Sequence, residues 1–143
     1  MAQNWRAGIL AGAMAFGFIV AGAPGAHAAS GFKRVAVNSD CYVDVSITND
    51  FTQGRVKGYI GAFCKSGSGT MVITPVLHII RGTKHLPTKS TGARIVNKKK
   101  PLYLEVYTSN TSGKQCYRAQ VIINHFTAGG TITKSGKTGC INV

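Results

Sequence analysis

Glu105, Arg118 and His125 are the residue types that could hydrolyse a phosphodiester: a general base, a phosphate clamp and a general acid. A hairpin turning between Thr111 and Ser112 would set Glu105 opposite Arg118 on a wet face, with Gln120 and Tyr103 beside them. Strand alternation then sends His125 to the opposite face, so an ordinary cross-strand ion pair accounts for Glu105 and Arg118 equally well. His78, His85 and His125 show no metal-ligand spacing. The sequence also has no CxxC, no HExxH and no Gly-rich phosphate loop, so neither a metal nor a cofactor is expected. His78 lies inside an apolar run, where a histidine with a satisfied hydrogen bond is expected. Carboxylates for any serine triad are limited to Asp40, Asp44, Asp50 and Glu105.

Binding chemistry is better supplied. The chain holds 17 Lys and Arg against 4 Asp and Glu, a formal net charge of +13. Such a field attracts anionic polymers and surfaces: cell-wall polymers, acidic glycans, lipid headgroups or nucleic acid without sequence specificity. The densest group is Lys84, His85, Lys89, Arg94, Lys98, Lys99 and Lys100, within the stretch Gly82 to Lys100. These residues are the candidate ligand-binding set. The same lysines could instead blunt exposed sheet edges against aggregation.

The N-terminus is read as targeting. Met1 to Arg6 carries one positive charge, Ala7 to Ala23 is uncharged and apolar, and Ala26-His27-Ala28 fits the small-x-small cleavage pattern. Residues 1–28 are therefore expected to be a cleaved signal peptide, Ala- and Gly-rich in a way that suggests a bacterium. Residues 29–143 would form a single secreted domain without a transmembrane segment. Of the 17 basic residues only Arg6 lies in the leader, which leaves 16 against 4 acids.

What would hold such a domain together is written in the cysteines. Cys41-Tyr42-x4-Ile47-x-Asn49-x-Phe51-Thr52-x-Gly54 recurs at the same offsets as Cys116-Tyr117-x4-Ile122-x-Asn124-x-Phe126-Thr127-x-Gly129, and each copy runs on to another cysteine, Cys64 or Cys140. An even number of cysteines in an exported chain points to disulfides. A turn at Phe51 to Gly54 pairs Val45 with Ile60 and Cys41 with Cys64. A three-residue turn centred on Ala128 pairs Asn124 with Ile132 and Cys116 with Cys140. Cysteines opposed across an antiparallel ladder stand at disulfide distance. The rival pairing is Cys41 with Cys140 and Cys64 with Cys116.

Strand-like segments run from Phe32 to Val37, Cys41 to Thr48, Arg55 to Cys64, Thr70 to Arg81, Ala93 to Val96, Leu102 to Thr108, Cys116 to Phe126 and Thr131 to Lys134, separated by Gly-, Asn- and Ser-rich turns. No stretch carries a capped 3.6-residue period, so helix should be scarce. Pro75 cannot donate to a ladder and marks an edge strand or a bulge. Gly82 to Lys100 reads as a long, mobile loop. The fold class expected is all-β: a small antiparallel, Ig-like two-sheet sandwich with two disulfides and an internal hairpin repeat.

The segment Cys41-x-Val43-x-Val45-x-Ile47-x-Asn49-Asp50-Phe51-x-x-Gly54 resembles the opening of some bacterial cellulose-binding modules. It departs from them in lacking a row of tryptophans, since Trp5 belongs to the leader; Tyr42, Tyr59, Tyr103, Tyr107 and Tyr117 are the rings left to stack on sugars. The function expected is that of a non-catalytic extracellular binding domain for anionic polymers or surfaces. The alternatives are a cationic antimicrobial or toxin-like protein, and a small secreted hydrolase or ribonuclease.

Overall fold

Alternating apolar residues bounded by Gly-bearing turns give ten antiparallel strands in the computed structural model, which describes residues 30–50 and 53–143. The expected leader, residues 1–28, lies outside the described residues, as do Phe51 and Thr52. The strands are β1 (Ser30–Ala36), β2 (Cys41–Asp50), β3 (Arg55–Cys64), β4 (Thr70–Arg81), β5 (Lys84–Ser90), β6 (Arg94–Asn97), β7 (Leu102–Ser109), β8 (Cys116–Thr127), β9 (Gly130–Lys137) and β10 (Ile141–Asn142). The described residues contain no helix.

Two sheets form a sandwich-like arrangement. Sheet A has the order β1-β2-β3-β7; in sheet B, β8 and β4 are central, with β9 and β10 along one side and β5 and β6 along the other. The inward residues of both sheets close one core: Val43, Val45 and Ile47 from β2, Ile60 from β3, Ile73, Leu77 and Ile79 from β4, and Val121 and Ile123 from β8 are fully buried. Each such side chain contributes roughly 1.5–3 kcal/mol by leaving water. The sheets also approach along their edges. Lys134 of β9 donates from Nζ to the carbonyls of Ala36 and Val37 beside β1, at 3.1 and 3.0 Å. On the other side β5 packs beside β7.

Both disulfides take the expected partners. Cys41–Cys64 joins directly opposed residues of β2 and β3, with Cα atoms 4.1 Å apart. Cys116–Cys140 spans 5.4 Å between Cα atoms, but by a different route from the one anticipated. The turn after β8 has two residues, Ala128 and Gly129, so Asn124 pairs with Thr133 rather than with Ile132. The register then slips by one: Lys137 pairs with Gln120, whereas Ile141 pairs with Tyr117. One extra residue in the returning chain is a bulge. Within it Thr138 accepts the Ala119 amide on its hydroxyl at 3.0 Å, and Cys140 is carried to the side of Cys116.

The duplicated sequence does not face the same way in its two copies. Cys41, Ile47 and Asn49 point into the core and Tyr42 points out; in the second copy Tyr117 is fully buried, while Cys116, Ile122 and Asn124 lie on the outer side. The repeat therefore preserves a bridged hairpin with its alternation, but not the side that alternation presents to the core.

Three expectations are corrected. Gly82 to Lys100 is not a loop: β5 and β6 occupy most of it, both paired with β4, because a Lys- and Thr-rich strand is well suited to an exposed edge. Gly82, at φ 61°, makes the tight turn that pairs Arg81 with Lys84. Pro75 lies in a central strand, opposite Ile123 of β8. It sits where β6 has ended at Ile73 and β5 begins only at Val76, so on that side of β4 no strand pairs with it. Finally, β7 and β8 do not form a hairpin. The chain crosses between sheets from Asn110 to Gln115, so Glu105 is opposite Tyr59 and Arg118 is opposite Ile80.

Candidate functional site

The constellation Glu105, Arg118 and His125 is not assembled. Glu105 lies on the outer face of sheet A, Arg118 on the outer face of sheet B, and His125 in the core, 8% exposed and with Nδ1 unpartnered among the described residues. His78 has the partner expected of it: its Nε2 lies 2.8 Å from Gln120 Oε1, across the β4–β8 ladder. Among the described residues there is no group of three potential metal ligands.

The basic residues divide into three. Lys98 and Lys99 line a shallow cleft of about 220 Å³ with Asn97, Thr70 and Gly67, the last from the Ser- and Gly-rich turn after β3. Asn97 organises the lysine turn: its Oδ1 accepts the backbone amides of Lys99 and Lys100, each at 3.0 Å. Lys84, Lys89 and Arg94 pair with Arg81, Leu77 and Ile73 on the side of β4 away from β8, where β5 packs beside β7 and β6 beside β3. His85 pairs with Ile80 on the other face, and its ring lies 5.0 Å from that of His78. Lys84 and Asn97 mark opposite ends of β4, about 36 Å apart at strand rise. Six of the seven candidates thus lie along a basic rim ending in a cleft, and His85 is turned away from it.

A second surface was not foreseen as a unit. On the outer face of sheet A, register brings together Phe32 of β1, Tyr42 of β2, Tyr59 and Phe63 of β3, and Tyr103 and Tyr107 of β7. Tyr42 and Phe63 are directly opposed, with ring centroids 5.7 Å apart; Phe63 meets Tyr103 edge-on at 5.6 Å, and Tyr103 lies nearly parallel to Tyr59 at 6.1 Å. Gly61 leaves room for this arrangement, since a Cβ there would come within 2.6 Å of the Phe63 ring and 3.3 Å of the Tyr59 hydroxyl.

Three of the four carboxylates are also on this face, each with a cation. Arg34 grips Asp44 with two bonds, Nε to Oδ1 at 2.7 Å and Nη2 to Oδ2 at 2.8 Å. Lys57 Nζ is 2.9 Å from Glu105 Oε1, and Arg55 is 3.5 Å from Asp50. The bonds from Lys57 and then from the Tyr107 hydroxyl hold Glu105 below the usual carboxylate range, and the same pairing raises Lys57. Burial raises Tyr59. Arg34 and Arg55 each lie 4.0 Å over a ring, Tyr42 and Tyr107 respectively. Alternation such as Leu102, Leu104, Val106 against Tyr103, Glu105, Tyr107 is legible strand by strand, but the face needs the order β1-β2-β3-β7.

No protein-family model and no curated protein matches the sequence. Among solved structures, the chain is similar to a crystal structure of a protein from Archaeoglobus fulgidus, at 6% identity and a TM-score of 0.43, covering 80% of this chain and 94% of that one.

Proposed function

We propose that this protein is an exported, non-catalytic binding module that meets anionic polymers or surfaces through the basic rim of β5 and β6 and the Lys98–Lys99 cleft. The observation that carries the reading is the segregation of charge. The outer face of sheet A holds four cations, Arg34, Arg55, Lys57 and Lys65, against three carboxylates; the rest of the chain from Ser30 holds twelve cations against Asp40 alone. Six of those twelve, Lys84, Lys89, Arg94, Lys98, Lys99 and Lys100, belong to the rim and the lysine turn, and an uncompensated field of this kind attracts polyanions without needing a shaped pocket. The two disulfides suit an oxidising compartment, extracellular or periplasmic, where such polymers are met.

The test is binding of the oxidised protein to lipoteichoic acid, RNA and anionic vesicles at two salt concentrations. Binding should weaken steeply with salt, and the variant K98A/K99A/K100A should bind more weakly with a shallower salt dependence. Failure to bind any polyanion at low salt, or full binding by the triple variant, would remove this reading.

A further inference from the structure

We propose that the outer face of sheet A is a binding platform for a neutral polysaccharide, separate from the basic rim. Three observations converge on that ligand chemistry. The first is the ring pavement. Tyr42, Phe63, Tyr103 and Tyr59 form an unbroken chain of ring contacts at 5.6 to 6.1 Å, a spacing on the scale of single sugar residues. Phe32 and Tyr103 remain 60% and 51% exposed. Aromatic rings offer flat, low-entropy surfaces, and the C–H-bearing faces of pyranose rings pack against them.

The second observation is the bare backbone at Gly61. A side chain there would collide with the Phe63 ring and approach the Tyr59 hydroxyl, so the glycine, itself buried, lets the Phe63 and Tyr59 side chains close over it and keeps the rings together at the middle of the face. In sheet A, Gly61 lies between Asp44 of β2 and Tyr103 of β7, in the same row.

The third is the charge balance, which decides between neutral and anionic ligands. In a protein with 16 cations after Ser30 and 4 carboxylates, three carboxylates stand on this one face, each held by a cation. A polyanion laid across the rings would meet a nearly balanced surface, Arg34, Arg55, Lys57 and Lys65 against Asp44, Asp50 and Glu105, with little of the net attraction that the rest of the chain offers. A neutral polyol would instead find acceptors and donors side by side in fixed geometry, Asp44 with Arg34 and Glu105 with Lys57, able to bond vicinal hydroxyls. The site is an open sheet surface rather than a pocket, which suits an extended chain.

The experiment is affinity electrophoresis and pull-down of the oxidised protein on hydroxyethyl cellulose, a mixed-linkage β-glucan, xylan and insoluble chitin, at low and high salt. We expect retention on at least one of these that changes less than about twofold with salt. Y103A and F32A should each weaken it by about tenfold, the scale of one lost ring contact; F32A should leave the melting temperature unchanged, its ring being 60% exposed, and Y103A should lower it by only a few degrees, through lost packing on Tyr59 and Phe63. K98A/K99A/K100A should leave it intact, which separates this site from the rim. Loss of retention with salt, equal retention by Y103A and F32A, or no retention on any of the four polymers would overturn the proposal. A dimer that Y103A dissociates would also overturn it, since the face would then belong to a second copy of the chain.

Discussion

Gly136 of β9 packs its bare backbone against the side chain of Val35 on β1, closing one edge of the sandwich; a Cβ at Gly136 would overlap Val35 Cγ2. Gly136 is buried and Val35 is 8% exposed, so neither can yield into solvent. Gly136→Ala should therefore destabilise the protein by about 1–3 kcal/mol through overpacking. Urea denaturation should show the loss, and adding Val35→Ala should recover part of it, because the two sites are in contact and their effects are not additive.

The disulfides close loops between cysteines 23 and 24 positions apart. On the chain-entropy account each contributes about 3 kcal/mol. Replacing Cys116 and Cys140 together by Ala should lower stability by roughly that amount while the Cys41–Cys64 hairpin stays bridged. Peptide mapping without reduction should recover Cys116 with Cys140 and Cys41 with Cys64, with no mixed pairs.

Asn49 is 3% exposed on the inward side of β2, and both its amide atoms lack a hydrogen-bond partner among the described residues. Burying an unpaired amide costs about 1–3 kcal/mol. Asn49→Leu, close in volume, should leave stability unchanged or raise it by about 1 kcal/mol. A loss larger than 1 kcal/mol in thermal or urea melts would contradict this.

Glu105 titrates below its usual range because Lys57 and Tyr107 donate to the ionised carboxylate. Its folded pKa is depressed, so its contribution is present above the unfolded value, near 4.5, and disappears as pH falls through the lower folded value. The pair is partly exposed, so the effect is only some tenths of a kcal/mol. Glu105→Gln should melt slightly below the parent protein at pH 7, and the gap should vanish near pH 2 or in high salt.

Legibility in the sequence followed the range of the interaction. The bounds of β3 and β4 and the pairing of Cys41 with Cys64 could be read from alternation and turns, because hairpin pairing is local; Cys116 and Cys140 are the partners expected, but through a different turn and register. The bulge around Thr138 could not, since it depends on the Ala119 amide finding a hydroxyl. Residues Lys84 to Ser90 carry few apolar side chains and become a strand only because β4 offers an open side. Glu105 was expected to meet Arg118, the nearest partner by hairpin logic; instead the chain changes sheet after Asn110, and Lys57 takes the carboxylate. The aromatic face was missed for the same reason. Tyr42 and Tyr117 hold equivalent places in the repeated sequence, yet only sheet assembly decides that one ring faces out and the other is buried.

Because β5 and β6 share one side of β4 with a break at Thr74 and Pro75, that margin is built from two short, separate pieces. The two pieces are held differently: β6 is anchored by fully buried Val96, whereas β5 is mostly exposed, and β2–β3 and β8 with the returning chain are tethered by their disulfides. The protein thus carries part of its uncompensated charge on a lightly held border of a stapled frame, and amide protons of β5 should exchange with solvent before those of β4 and β8.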